Sequence, residues 1–137
     1  MTDVECVFCG IVSGDADALI VDERERTLAF SPLDPVAPGH VLVVPKAHHE
    51  SLFDVPVDVL GDVMTHVRSL ARRLRGDGGF DGVNVLNDST GYQSVPHLHV
   101  HVVGRHEGDA DLFPEGDYDG SRRDAYDAVV AALDDAP

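Results

Sequence analysis

The sequence predicts an α+β fold: a mainly antiparallel sheet, one long helix and a further helix at the C-terminus. Three observations predict it. Residues 97–103 alternate histidine with apolar residues at strand period. Residues 56–75 carry apolar residues at helical spacing. Strands and helices mix without the regular βαβ alternation of a parallel sheet.

Taken in order, residues 4–12 read as a short helical or irregular opening that ends at Ser13-Gly14-Asp15. Leu19-Ile20-Val21 and Thr27-Leu28-Ala29-Phe30 are short strands on either side of a charged turn. Pro32, Pro35 and Pro38 keep the following stretch extended. Val41-Leu42-Val43-Val44, closed by Pro45, is the pattern of a buried strand. In the long helix the stripe is Leu60, Val63, Met64, Val67, Leu70 and Leu74, with Pro56 suited to the first turn and Gly76 to the end. Gly82 to Leu86 is a strand, and His97 to Val103 another. The chain then turns acidic and irregular until a last helix from about Arg122. Ser121 can cap that helix, and Tyr126, Val129, Val130 and Leu133 form its apolar face.

The 137 residues are one domain's length, long enough to bury a single core. No apolar run approaches the ~20 residues that cross a bilayer, so no membrane partner is expected. The acidic start, Met1-Thr2-Asp3-Val4-Glu5, does not resemble a secretory signal, and the expected location is the cytoplasm. Ten Lys and Arg face 25 Asp and Glu, a formal net charge of -15, and Lys46 is the one lysine. No basic stripe is visible, so no nucleic-acid polymer is expected as a partner. The acid is spread along the chain and 43% of the residues are hydrophobic, which argues against disorder. An acidic soluble surface and adaptation to a high-salt cytoplasm both fit this balance.

The chemistry is concentrated in His97-Leu98-His99-Val100-His101-Val102-Val103. On a strand the three imidazoles share one face, while Leu98, Val100 and Val102 enter the opposite layer. Each ring brings two nitrogens that need partners. Histidine supplies a nucleophile and a general acid or base near neutral pH, and it also binds metal. Same-face residues rise ~7 Å per pair along a strand, too far for easy capture of one ion by all three, though two of them could still share one. Cys6 and Cys9, spaced C-x-x-C, point to metal or redox chemistry before a structural disulfide in a cytosolic chain.

Residues 97–103 resemble the H-φ-H-φ-H-φ-φ signature of the histidine-triad (HIT) family, φ being apolar. The likeness extends beyond the triad. Cys6-Val7-Phe8-Cys9-Gly10-Ile11 is similar to the family's C-x-F-C-x-I. Ala29-Phe30 precedes Pro38-Gly39-His40-Val41-Leu42-Val43-Val44-Pro45-Lys46-Ala47-His48, which resembles P-x-H-x-L-v-x-P-K-x-H. Asn87 and Gln93-Ser94-Val95 fall where the family has its asparagine and Q-S/T-V. The resemblance implies a HIT-like nucleotide-binding domain over residues 1–106, with residues 107–137 as an acidic helical extension of the same compact unit.

It implies a nucleotidyl hydrolase acting on an α-phosphate, such as that of an adenosine phosphoramidate, an aminoacyl-adenylate or a dinucleoside polyphosphate. A nucleotidyl transferase and a nucleotide-binding regulator with little turnover are the alternatives. The middle histidine, His99, would be the nucleophile. His101 would hydrogen-bond phosphate oxygens, and His97 would hold His99 through its backbone carbonyl. His40 matches a fourth active-site histidine. Asn87, Gln93 and Ser94 would contact phosphate, and Ser94 could also help protonate the leaving group. Phe8, Ile11, Phe30, Leu33 and Leu42 sit where the family packs the nucleoside. One position departs: Pro32 stands where an Asp or Asn would hold the ribose hydroxyls, and Asp34 is the nearby substitute. His49, His66 and His106 match nothing and are expected at the surface. Cys6, Cys9, His48 and His97 would form a closed Cys2His2 zinc site of structural character. Family members usually pair through the long helix and a sheet edge, so a homodimer is expected.

Overall fold

The computed structural model describes residues 6–112 and 118–134. Residues 4 and 5 of the expected opening, and part of the 107–137 extension, lie outside them. Helix α1 (Val7–Ser13) is followed by strands β1 (Ile20–Glu23), β2 (Thr27–Phe30) and β3 (Gly39–Pro45). Helix α2 (Val57–Arg75), strands β4 (Gly82–Leu86) and β5 (Val100–Arg105), and helix α3 (Arg122–Asp134) complete the order. The strands form one sheet in the order β1-β2-β3-β5-β4, with every neighbouring pair antiparallel. The fold is α+β, as expected.

The sheet's two faces have different tasks. Ala29, Val41, Val43, Val100 and Val102 meet Val63, Val67 and Leu70 of α2. On the other face, Leu28, Phe30, Leu42 and Val44 pack with Cys6 and Phe8. β3 is therefore covered on both sides, which is why it reads as an unbroken apolar run rather than an alternating one. Burying each large apolar side chain here contributes roughly 1.5–3 kcal/mol.

Local chemistry sets the ends of the elements. The Cys6 side chain caps α1 by accepting from the Cys9 N–H, and Gly14 ends the helix at φ 87°, a left-handed conformation that suits glycine. Gly76 ends α2 differently: its φ is -76°, and its N–H donates to the Arg72 carbonyl. Gly39 and Gly104 are paired across β3 and β5. A Cβ on either would lie 2.8 or 2.7 Å from the Phe80 ring, so the ring's position over the pair requires two glycines. Ser121 caps α3, accepting from the Asp124 N–H at 3.0 Å.

Three expectations change. The strand carrying the triad begins at Val100 rather than His97. Before it, the His97 N–H turns back to the Val95 carbonyl at 2.8 Å, and the Leu98 N–H donates to the His49 carbonyl at 2.7 Å. Within α2, Met64 is 41% exposed, and the buried stripe is Val63, His66, Val67 and Leu70. His66 is thus no surface residue. It is fully buried, with Nδ1 bonded to the Thr27 hydroxyl at 2.7 Å and Nε2 to the Asp22 carboxylate at 2.8 Å. Both ring nitrogens have partners, so the helix can bury a polar ring between β1 and β2 at low cost. His49 is half-buried, and His106 lies at the surface, stacked on Phe80.

The described side chains of α3 are exposed along its length, with Tyr126 57%, Val129 58% and Leu133 69% exposed. No helix among the described residues is long and apolar enough to cross a membrane.

Candidate active site

The ring tautomers of the triad follow from their hydrogen bonds. The His97 carbonyl is 2.8 Å from His99 Nδ1, and a carbonyl only accepts. His99 therefore carries its proton on Nδ1, and the Nε2 lone pair is free on the far side of the ring. The Asn87 amide donates to the His99 carbonyl at 2.9 Å and fixes the backbone that carries this ring. Phe8 packs edge-on against the His99 ring with centroids 5.0 Å apart. His99 is buried apart from its cleft-facing part, with 2% exposure.

A second chain of bonds orients His101. The Val36 N–H donates to His40 Nδ1 at 3.1 Å, so the proton of neutral His40 is on Nε2. That Nε2–H donates to His101 Nδ1 at 2.9 Å. His101 must then carry its own proton on Nε2, where it can serve a phosphate oxygen. Burial is the main reason the His101 pKa is lowered to about 4, with the neighbouring His99 and His40 adding repulsion and Asp88 opposing it. Burial also lowers the pKa of His40. Both rings are thus held neutral near pH 7, one donor and one acceptor at each.

These rings close one end of a cleft of about 830 Å³. Phe8, Ile11, Phe30, Leu33 and Leu42, the residues expected to pack a nucleoside, all line it, as does Ser94. Leu33 is 95% exposed and stands at the rim. Pro32 and Asp34 both line the cleft, so the carboxylate two residues on reaches the same space. Asn87 and Gln93 are not among the lining residues. Asn87 is held by the His99 carbonyl and the Ser89 hydroxyl. The Gln93 amide donates to the Glu50 and Val95 carbonyls and accepts from the N–H of Thr90, whose φ is 64°. Both thus hydrogen-bond within the segments beside the cleft. Sequence reasoning also missed Pro45, Val36 and Asp17. Pro45 orients His97, the Val36 backbone orients His40, and Asp17 lines the cleft.

The metal ligands converge as expected. One ligand atom from each of Cys6, Cys9, His48 and His97 lies within 4.8 Å of the others. His97 Nε2–H donates to the Pro45 carbonyl at 2.8 Å, which leaves the Nδ1 lone pair facing Cys6 Sγ at 3.4 Å and Cys9 Sγ at 3.5 Å. His48 Nδ1 is 3.1 Å from Cys9 Sγ. Two sulfurs and two imidazole nitrogens, oriented by an outer hydrogen bond, fit a tetrahedral zinc ion. His49 stays outside this set. With four protein ligands the site has no open position for substrate.

The chain matches the HIT domain family over residues 13–108 and belongs to that family. It is 38% identical over 114 residues to an uncharacterized HIT-like protein of Methanocaldococcus jannaschii, covering 82% of this chain and 88% of that one. It is 34% identical over 104 residues to an adenosine 5'-monophosphoramidase of Candida albicans, covering 72% of this chain and 68% of that one. A zinc-bound histidine triad family protein of Mycobacterium smegmatis has a similar structure, with a TM-score of 0.77, 34% identity and coverage of 98% and 99%. Other relatives are named as an adenosine 5'-monophosphoramidase of Saccharomyces cerevisiae and an adenylylsulfatase of Arabidopsis thaliana.

Proposed function

We propose that this chain hydrolyses nucleotidyl bonds at an α-phosphorus, with adenosine phosphoramidates, aminoacyl-adenylates and dinucleoside polyphosphates as the substrate classes, through a covalent intermediate on His99. The observation that carries this reading is the bond from His99 Nδ1 to the His97 carbonyl, which leaves Nε2 as a nucleophile at the cleft. Nε2 attacks phosphorus, and the bond to the leaving group breaks as the N–P bond forms. The leaving group takes up a proton, for which the Ser94 hydroxyl in the cleft lining is a candidate donor, regaining it from the water that cleaves the intermediate. His101 Nε2–H meets the charge that develops on the phosphate oxygens, and the His40 bond keeps it pointed there. Water then cleaves the N–P bond, releasing a nucleoside monophosphate and restoring the His99 lone pair.

The zinc ligands act at a distance from this chemistry. A zinc ion bound there would join α1, the segment after β3 and the turn before β5. His97 belongs to both systems: its Nδ1 faces the metal site, and its carbonyl holds His99. We also assign the chain to the cytoplasm.

The test is rapid quenching of a single turnover with an α-phosphate-labelled adenosine phosphoramidate. Label should appear on the wild-type chain and then as free monophosphate. His99→Ala should trap none and lose turnover by at least ~1,000-fold, since removing a covalent nucleophile deletes a step while leaving binding in place. Wild-type turnover in His99→Ala would overturn the mechanism. Label passed to a second acceptor in preference to water would make the chain a transferase. Binding without label on the chain would make it a regulator.

A further inference from the structure

The cleft lining contains a charged group that the hydrolytic mechanism does not use. Among the described residues that line the cleft there is no lysine or arginine, and the carboxylates are Asp17 and Asp34. They come from different segments. Asp34 lies two residues before Val36, whose N–H holds His40. Asp17 lies in the turn after α1.

This turn is pinned from both sides. The Ala16 N–H donates to the Gly10 carbonyl at 3.0 Å, and the Ser31 N–H donates to the Leu19 carbonyl at 2.9 Å. Ala18 packs against the cluster of Phe8, Phe30 and Leu42 that forms the apolar floor. Ala16 and Ala18 are half-buried while Asp17 between them is exposed, so its carboxylate stands at the margin of that floor. A base lying on Phe8 and Phe30, with its phosphate at His99, would turn its outer edge toward this turn.

We propose that Asp17 reads the base and biases the cleft toward guanine; this rests on the nucleotide reading above. Guanine's N1–H and N2 amine are adjacent donors, which one carboxylate accepts together in charge-assisted bonds. Adenine offers one amine beside a ring nitrogen whose lone pair faces the carboxylate. A polar group left facing the wrong edge is a stronger discriminator than a shape difference. Uracil and cytosine reach less far across the floor and offer one donor edge each. The two carboxylates then have separate partners, Asp34 the ribose hydroxyls and Asp17 the base.

The experiment compares kcat/KM for guanosine, inosine and adenosine phosphoramidates. The wild-type chain should prefer guanosine over adenosine by about tenfold, within the range for one bidentate contact to a base edge. Inosine, with N1–H and no N2 amine, should fall between. Asp17→Asn, with one acceptor and one donor, matches adenine's edge and should reverse the order. Asp17→Ala should bring the three together. The changes should appear mainly in KM, because the base is remote from phosphorus. Equal kcat/KM for guanosine and adenosine in the wild type, or an unchanged guanine preference in Asp17→Asn, overturns the assignment alone. Turnover of none of the three overturns the nucleotide reading beneath it.

Discussion

At the scale of residues, the site depends on which nitrogen of each ring carries a proton. His97, His99, His40 and His101 each have one nitrogen committed by a backbone group or a neighbouring ring. The bonds to His40 and His101 work only while both are neutral, and this has a consequence for stability. Burial lowers the pKa of His40, His66 and His101 in the folded chain, to about 4 for His101. Unfolded, these rings take up protons around 6.5, so below that pH the unfolded state binds more protons. Stability should therefore be full above the unfolded pKa and fall as pH drops from about 6.5 toward about 4. Melting temperature recorded between about pH 7.5 and about pH 4.5 should decline steadily. His101→Gln should flatten part of that decline, since glutamine has no proton to gain. A melting temperature that rises on acidification over this window would contradict the neutral relay. The histidines were legible from their alternation with apolar residues, although only His101 of the triad lies within the strand itself. The His99 tautomer was legible as well, from the His97 carbonyl two residues away, whereas those of His97 and His101 were not, because Pro45 and His40 come from other segments.

At the scale of elements, α1 is too short to be stable alone, and Phe8, Cys6 and Cys9 attach it to the rest. Cys6 caps the helix and faces His97, while Cys9 faces His48. Zinc at this point would join α1 to the segment after β3 and to the turn before β5, and α1 in turn supplies Phe8 and Ile11 to the cleft. The purified chain should contain about one zinc, the stoichiometry of a closed Cys2His2 site. Cys9→Ser should lower the melting temperature more than it lowers the single-turnover rate. Metal analysis finding no zinc, with stability unchanged in Cys9→Ser, would remove the metal from this account. The sequence showed the ligand types and spacing. It did not show that His66 is buried, although position 66 lies on the stripe of Val63, Val67 and Leu70. A polar residue on a buried stripe needs partners, and those partners, Thr27 and Asp22, are visible only once β1 and β2 lie beneath α2.

At the scale of the whole molecule, two features point outward. β4 is an outer strand with Val85 47% exposed, and Val57 and Met64 of α2 are also exposed. An uncovered strand edge beside apolar side chains is a surface that pairing would protect, and we propose that two copies pair there about a two-fold axis. Light scattering at micromolar concentration should report a dimer, and a monomer would refute the pairing. The second feature is charge. A net charge of -15 on 137 residues repels itself and repels a phosphate-bearing substrate. Screening length falls from ~8 Å at 0.15 M to ~3 Å at 1 M salt, which would remove most long-range repulsion and spare short contacts at His101. Melting temperature and kcat/KM should both rise through a potassium chloride series to ~2 M, the range in which screening shortens most. A steady fall in both would leave an ordinary acidic enzyme without adaptation to salt.

By itself the sequence determined the order of elements, the alternating histidines and, through its resemblance to known motifs, the family and a candidate Cys2His2 set. These are local properties, carried by periodicity and by motifs a few residues long. Tertiary structure alone decided which nitrogen of His97 and of His101 is free, and where His66 lies. The physical reason is that each outcome depends on a hydrogen-bond partner distant in sequence. The Pro45 carbonyl is 52 residues from His97, and His40 is 61 residues from His101. Only the antiparallel register of β3 against β5 brings such partners within reach.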